Sequence, residues 1–257
     1  MLIGAMNHPA HPVVAEIDWM AEMGLDFIDL TLEPPAAGYW QIDVAAIRQA
    51  LRERGLGIVG HTAYYLPLGH PFEPVRRGAV DCFVRSAEVF AELGADRMNI
   101  HPDAKAPLHP PGFVIERNRQ SLEEILAQVR PLGVRLMIEN LPGEFKTLEQ
   151  LGALLDPLPE LGLHLDVGHT HLAGSAPLAA MVEAWGARLL HVHLHDNLGG
   201  GADLHLPLGA GTLDLKGALG TLKRSGYDGT ITLEVFSPDR DYLRYSLVKL
   251  KEMWQEV

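Results

Sequence analysis

The sequence predicts an α/β protein made of a single (β/α)8 TIM barrel that spans residues 1–257 as one domain. Three observations predict this fold class. Eight short β-like runs alternate with amphipathic stretches of helical length, which is typical of parallel sheets built from βαβ units. Several helical stretches are followed by a glycine just before the next strand. The length suits one barrel of this kind, and an open, doubly wound sheet is the competing architecture.

The strand candidates are short β-like runs separated by turn residues and helical stretches. They cover residues 2–6, 26–32, 57–63, 97–101, 134–139, 162–166, 188–195 and 230–236. The clearest helix candidates have apolar residues at helical spacing and cover residues 13–23, 44–54, 76–93 and 121–129. Glycine fits the left-handed position that ends a helix, and it stands before a predicted strand at positions 24, 55, 94, 133 and 226.

The composition narrows the class of protein. Cys82 is the only cysteine, which rules out an internal disulfide and suits a reducing compartment. We expect a cytoplasmic protein without a membrane span, because no long apolar run or basic leader is present. The formal charge of −12, with scattered basic residues, argues against a nucleic-acid partner. It does not exclude one, since bound metal ions could invert the local field.

Potential metal ligands stand at or near the ends of six consecutive strands, where a parallel barrel places its active site. In strand order these residues are His61, His101, Glu139, Asp166, His193 and Glu234. A lone histidine or glutamate at a strand end is more often a hydrogen-bonded packing residue than a ligand. Six of them at the same height indicate a binding site instead.

The alternation of residues along the strands supports an inward direction for these side chains. In the eighth strand Glu234 shares a face with two threonines, while the aliphatic residues face the helices. His191, His193 and His195 share one face of the seventh strand, and Leu190 is expected on the opposite face. Polar side chains inside a barrel are costly unless they are paired or bind something.

Four of the strand-end residues form a mixed nitrogen and oxygen ligand set: Glu139, Asp166, His193 and Glu234. Such a set suits Mn²⁺, Mg²⁺, Co²⁺ or Zn²⁺, and no thiolate is available to bias the choice towards zinc. The sequence therefore predicts a divalent metal centre at the barrel mouth.

Further candidates follow the sixth and seventh strands. His169 comes one short turn after Asp166, and Asp203 and His205 lie in the next loop. By themselves these are weak signals, because an Asp-x-His pair in a loop is more often a solvated turn. Glycines 209 and 211 either shape that loop or cradle a phosphate. Two deeper inward residues are interpreted as structural, His164 and His191.

Four segments together resemble the xylose-isomerase-like barrel superfamily: LHLDVGHTHLAG, HVHLHDN, the Asp-x-His-x-Pro-x-Gly-x-Gly segment and GYDGTITLEV. The superfamily includes sugar and sugar phosphate isomerases and epimerases, and the endonuclease IV type of AP endonuclease (AP endonuclease family 2). The resemblance runs from about His61 to the C-terminus. It implies a (β/α)8 fold and a metal ion on the same four residues that the strand ends indicate.

In the epimerase-like branch, the resemblance implies one divalent ion that acts as a Lewis acid on a substrate carbonyl. Glu139 and Glu234 would be the catalytic pair that removes and returns a proton at the neighbouring carbon. His169 would orient or polarise a substrate oxygen. Ketose 3-epimerases carry an arginine shortly after the histidine of the seventh strand, whereas this chain has His195, Asp196 and Asn197. Free ketohexose as the substrate is therefore in doubt.

In the endonuclease IV branch, the resemblance implies up to three zinc ions that activate water against a phosphodiester. Their ligands would be the four residues together with His61, His101, His169, Asp203 and His205. The loop after Glu139 lacks the small, polar character that this branch uses to reach into DNA, and no basic DNA-facing run is present.

These observations favour a metal-dependent isomerase or epimerase that acts on a small sugar, a sugar phosphate or a related polyol carbonyl compound. A multi-zinc phosphodiester hydrolase is the alternative, and a barrel that binds metal and ligand without turnover is a third class. The sequence leaves the oligomeric state open, and only analogy with related barrels, which often pair, suggests a homo-oligomer.

Overall fold

Eight parallel strands close into one barrel in the computed structural model, which describes residues 1–103, 106 and 108–257. In chain order they are β1 (Leu2–Met6), β2 (Phe27–Leu32), β3 (Gly57–Thr62), β4 (Arg97–Ile100), β5 (Arg135–Glu139), β6 (Gly162–Asp166), β7 (Leu189–Leu194) and β8 (Thr230–Leu233). Each strand pairs with its sequence neighbours, and β1 pairs with β8 to close the ring. The predicted barrel is confirmed, and the open sheet is excluded.

Helices connect the strands on the outside of the barrel. They are α1 (Val13–Met23), α2 (Val44–Arg54), α3 (Glu73–Leu93), α4 (Pro111–Val129), α5 (Leu148–Leu155), α6 (Val167–Thr170), α7 (Leu178–Trp185), α8 (Leu215–Arg224) and α9 (Asp241–Glu256). Within the described ranges, none combines the length and the apolar character that crossing a membrane would require. The predicted bounds of α1 and α2 are confirmed. Gly24 and Gly55 end these two helices with φ of 79° and 68°, the left-handed conformation that the sequence predicts.

The start of α4 differs from the prediction, because the helix begins at Pro111 and not at residue 121. Its first turns bury Asn118, whose side-chain amide donates to the carbonyl oxygens of Asp103 and Val114. A buried polar residue on the inner face interrupts the apolar period from which a helix is predicted.

The barrel interior begins with a small apolar plug, defined here as Phe27, Val59, Met137 and Leu190. The predicted outward direction of Leu190 is therefore wrong. Leu163 pairs with Leu189, but His164 pairs with His191, so Leu190 is an extra residue in a β-bulge. The bulge turns Leu190 inward, towards the space that Gly162 leaves by having no side chain.

Candidate metal centre

A layer of polar side chains lies next to the apolar plug, one inward position nearer the C-terminal ends of the strands. We call it the polar layer, and its buried members are Asp29, His61, Asn99, Glu139, His164, Asp166, His191, His193, Thr232 and Glu234. The strand register brings them together, because Glu139 pairs with His164, Asp166 with His193, and His193 with Thr232. The period-two alternation therefore carries polar residues of seven strands into one buried volume.

The four predicted ligands converge in this layer. His193 Nδ1 lies 3.0 Å from Glu234 Oε2 and 4.0 Å from Asp166 Oδ2. One ligand atom each of Glu139, Asp166 and His193 lies within 4.8 Å of the others. Asp166 Oδ2 is buried, and no residue in the described ranges donates a hydrogen bond to it. A buried carboxylate oxygen without a donor fits a cation ligand, so these residues suit a divalent ion.

Two of the additional candidates lie beside Glu139. His101 Nε2 is 2.9 Å from Glu139 Oε2, and the ring centroids of His61 and His101 are 5.1 Å apart. Ligand atoms of these three residues also lie within 4.8 Å of one another. The geometry could hold a second cation, and it equally positions the Glu139 carboxylate by hydrogen bonding.

The other three additional candidates form a separate group at the rim. Asp203 Oδ2 lies 3.0 Å from His169 Nε2 and 2.8 Å from His205 Nε2. His195 joins this group, with its Nε2 3.2 Å from Asp166 Oδ1. The Asp-x-His pair is therefore part of a half-buried polar cluster, not a solvated turn.

The loop that carries this rim group is held by a buried carboxylate. Asp196 Oδ2 accepts hydrogen bonds from the amides of Gly209 and Gly211 at 2.8 and 3.0 Å, and Asp196 Oδ1 accepts one from Leu213 at 3.1 Å. The hypothesis that the two glycine amides cradle a phosphate is not supported, because Asp196 already occupies them.

Burial and neighbouring charges shift the pKa values of the side chains in the layer. Burial raises the pKa of Glu139, but His164 and His101 beside it hold that pKa well below the usual value. Burial lowers the pKa of His193, but Glu234 and Asp29 raise it well above the usual value. Burial also lowers the pKa of His169, but the carboxylates of Asp166 and Asp203 outweigh burial and raise that pKa to about 10. Burial lowers the pKa of His164 well below its usual value and the pKa of His191 to about 4, so the raised pKa values are those of His193 and His169. A cation bound to the four predicted ligands would displace the proton of His193.

Sequence reasoning did not single out Asp29 or Asn140. Asp29 lies on the inward face of β2 between Phe27 and Thr31, so the alternation that picked out Glu234 could have found it. Asn140 follows β5 and binds the backbone of Asp166 through both ends of its amide, for which the sequence holds no signal. The structural interpretation of His191 agrees with its side-chain hydrogen bonds, which join Asp29, Thr230 and Thr232.

A cavity of about 990 Å³ opens at the barrel mouth beside the polar layer. Glu139 and Glu234 line it, together with the five additional candidates and apolar residues such as Phe236. In its wall the Arg240 guanidinium lies 4.1 Å from the centroid of the Trp19 ring and forms an ion pair with the buried Glu16 at 3.2 Å. The size and mixed lining suit a small polar ligand with room for a substituent.

The fold and the site define the class: a (β/α)8 barrel with a candidate divalent metal centre at the C-terminal ends of its strands. The chain belongs to the family described as xylose isomerase-like TIM barrel, which it matches over residues 17–253. A relative from Methanocaldococcus jannaschii, described as an uncharacterized protein, is 31% identical over 172 residues. That match covers 63% of this chain and 58% of the relative, so the chain spans less than two thirds of the relative's length.

Solved structures similar to the chain include sugar epimerases. A D-tagatose 3-epimerase-like protein superposes with a TM-score of 0.89 at 25% identity, covering 100% of this chain and 98% of that chain. A 3-keto-D-glucoside 4-epimerase from E. coli superposes with a TM-score of 0.82 at 19% identity, covering 98% of this chain and 99% of that chain. A D-allulose 3-epimerase from Methylomonas sp. superposes with a TM-score of 0.81 at 21% identity, covering 98% of both chains. The last two likenesses show the fold alone.

Proposed function

We propose that the protein is a divalent-metal-dependent isomerase or epimerase of a small sugar, sugar phosphate or related polyol carbonyl compound. One observation carries the proposal: the carboxylates of Glu139 and Glu234 reach the same cavity from β5 and from the residue after β8. Asp166 and His193 lie on the strands between them. Two carboxylates at one cavity are what proton removal and return at a single carbon require.

The chain's own residues supply the proton transfers in this scheme. A divalent ion held by the four side chains would supply Lewis-acid polarisation of the substrate carbonyl. One glutamate takes the proton from the carbon next to the carbonyl, and the C–H electron pair moves towards the carbonyl group. The other glutamate returns a proton, and return to the opposite face inverts that carbon. His101 at 2.9 Å and Asn99 at 3.2 Å fix the Glu139 carboxylate for this role.

The cavity favours a substrate larger than an unsubstituted ketose. Arg240 and Glu16 line the cavity as well, and both are groups that can bind substrate hydroxyls. The Arg240 guanidinium already lies over the Trp19 ring, 4.1 Å from its centroid. The segment after His193 lacks the arginine of ketose 3-epimerases, and Asp196 is committed to holding its own loop. These features support a substituted sugar or a related polyol over free ketohexose.

Solvent proton exchange tests the proposal. Ketohexoses, their phosphates and 3-keto-glucosides are incubated with metal-loaded protein in D₂O, and deuterium at the carbon next to the carbonyl is followed by NMR. Glu139→Gln and Glu234→Gln should each slow exchange of the accepted substrate by about 10²–10⁴-fold, because each removes a proton-transfer group. Glu33→Gln is the matched control, since Glu33 lines the same cavity outside the polar layer. Normal exchange in either glutamine variant would contradict the two-carboxylate scheme.

A second candidate function, a multi-zinc phosphodiester hydrolase, is favoured by one specific observation. The potential ligands form three contiguous groups. These are His61 with His101 and Glu139, Glu139 with Asp166 and His193, and His169 with Asp203 and His205. Incubation with an oligonucleotide that contains an abasic site tests this candidate directly. Efficient strand incision that chelator abolishes would replace the isomerase proposal.

A further inference from the structure

Asp29 is a fully buried carboxylate on β2 that contacts polar residues from three other strands. Its Oδ2 accepts hydrogen bonds from His193 Nε2 at 2.7 Å, Thr232 Oγ1 at 2.9 Å and His191 Nε2 at 3.3 Å. Its Oδ1 lies 3.6 Å from His61 Nδ1. Burying a carboxylate in a barrel interior is costly, so its partners must compensate for the lost hydration.

Two of these partners belong to the proposed metal groups, and each turns its other ring nitrogen away from Asp29. His193 presents Nδ1 to Glu234 Oε2 at 3.0 Å. His61 presents Nε2 to the Asn99 amide nitrogen at 3.4 Å, and that amide also donates to Glu139 at 3.2 Å. One carboxylate therefore faces the back of two candidate ligands that come from different strands.

We propose that Asp29 is a positioning residue for the metal centre, an inference that rests on the proposed metal site. Asp29 receives the Nε2–H of His193, so Nδ1, which faces Glu234 Oε2 at 3.0 Å, would be the nitrogen that holds the cation. Asp29 Oδ1 also faces His61 Nδ1, at 3.6 Å, a distance longer than a hydrogen bond. Histidine ligands commonly donate their second N–H to a carboxylate, which fixes the tautomer and the ring orientation.

Metal affinity of the whole chain tests this role without reference to turnover. Zn²⁺ and Mn²⁺ dissociation constants are measured by chelator competition, and stoichiometry by equilibrium dialysis, for wild type and Asp29→Asn. We expect Asp29→Asn to weaken binding by about 10–100-fold at unchanged stoichiometry. His191→Gln is the comparison variant, because His191 contacts the same Asp29 oxygen, is itself no proposed ligand and meets the His193 ring only edge-on, so it should bind metal more tightly than Asp29→Asn.

Several outcomes would overturn the inference. Wild-type affinity in Asp29→Asn would remove the positioning role. Loss of one metal equivalent with the remainder intact would make Asp29 a ligand itself, which its place within 4.8 Å of ligand atoms of His61 and His193 permits. An equal loss in His191→Gln would assign the effect to general packing of the layer.

A measurement on the wild type keeps the inference testable if Asp29→Asn does not fold. In the Zn²⁺-loaded protein, ¹⁵N NMR of the histidine rings should show His193 protonated at Nε2 and metal-bound at Nδ1. The opposite tautomer would refute the role of Asp29. Wild-type protein that binds no divalent metal would refute the proposed function, whereas normal binding with the wrong tautomer would refute this inference alone.

Discussion

Asn140 offers a direct test of how the site is held together. Its side chain is buried, with Nδ2 donating to the Asp166 carbonyl at 2.9 Å and Oδ1 accepting from the Asp166 amide at 2.8 Å. Asn140→Ala leaves the buried Asp166 amide without this acceptor, whereas the Asp166 carbonyl, which immediately precedes helix α6, still accepts the first backbone hydrogen bond of that helix. At about 1–3 kcal/mol for one unsatisfied buried group, the free energy of unfolding should fall by about 1–3 kcal/mol.

The assay is urea unfolding of the metal-free protein, combined with metal affinity by chelator competition. Asn7→Ala is the matched control, because Asn7 makes the same two bonds to the backbone of Thr31, at 3.3 and 2.6 Å. Both variants should lose stability, but only Asn140→Ala should also lose metal affinity, since it alone holds the backbone of a proposed ligand. An Asn140→Ala protein within about 0.5 kcal/mol of wild type would refute the reasoning.

Three further predictions follow from other parts of the chain. Gly168→Ala should destabilise the protein by roughly 1–3 kcal/mol in urea unfolding, because a Cβ there would lie 2.2 Å from the His195 ring; unchanged stability would contradict this. The hydrogen bond from Arg76 and a second one from Arg117 lower the pKa of Glu73 to about 2, so the carboxylate stabilises the fold above its ordinary pKa of 4.5. The melting-temperature gap between wild type and Glu73→Gln should therefore close as the pH falls from 4.5 towards 2, and a constant gap would argue otherwise. The pKa of His193 is raised, so Mn²⁺ must displace a proton and its affinity, measured by titration, should rise with pH; a flat profile would contradict proton displacement.

The barrel was predictable because its signals are local and repeated. Apolar residues recur with a different period in strands than in helices, and every βα unit repeats this difference. Strands such as Leu2–Met6 and Gly162–Asp166 are therefore predicted with their observed bounds. Leu190 was missed because a β-bulge depends on pairing between strands, which the sequence of one strand does not encode. The first turns of α4 were missed because Asn118 is buried through bonds to a distant loop.

The candidate site was predictable for those residues whose inward direction follows from the alternation of side chains along a strand. Glu139, Asp166 and His193 stand on inward positions of three successive strands, and the structure brings them together. His169 lies in the short helix α6 and Asp203 lies in a loop, and only the three-dimensional contact at 3.0 Å makes them one cluster. The nature of the substrate is set by cavity walls contributed from several loops, for which residue spacing holds no code.

Elemental analysis of protein purified without chelator tests the central claim most directly. We predict about one divalent ion per chain, because four ligands of mixed nitrogen and oxygen type define one centre. Asp166→Asn and His193→Gln should each remove it while the barrel stays folded by circular dichroism. About three zinc ions per chain, or metal content that neither substitution changes, would contradict the proposed centre and its carbonyl chemistry.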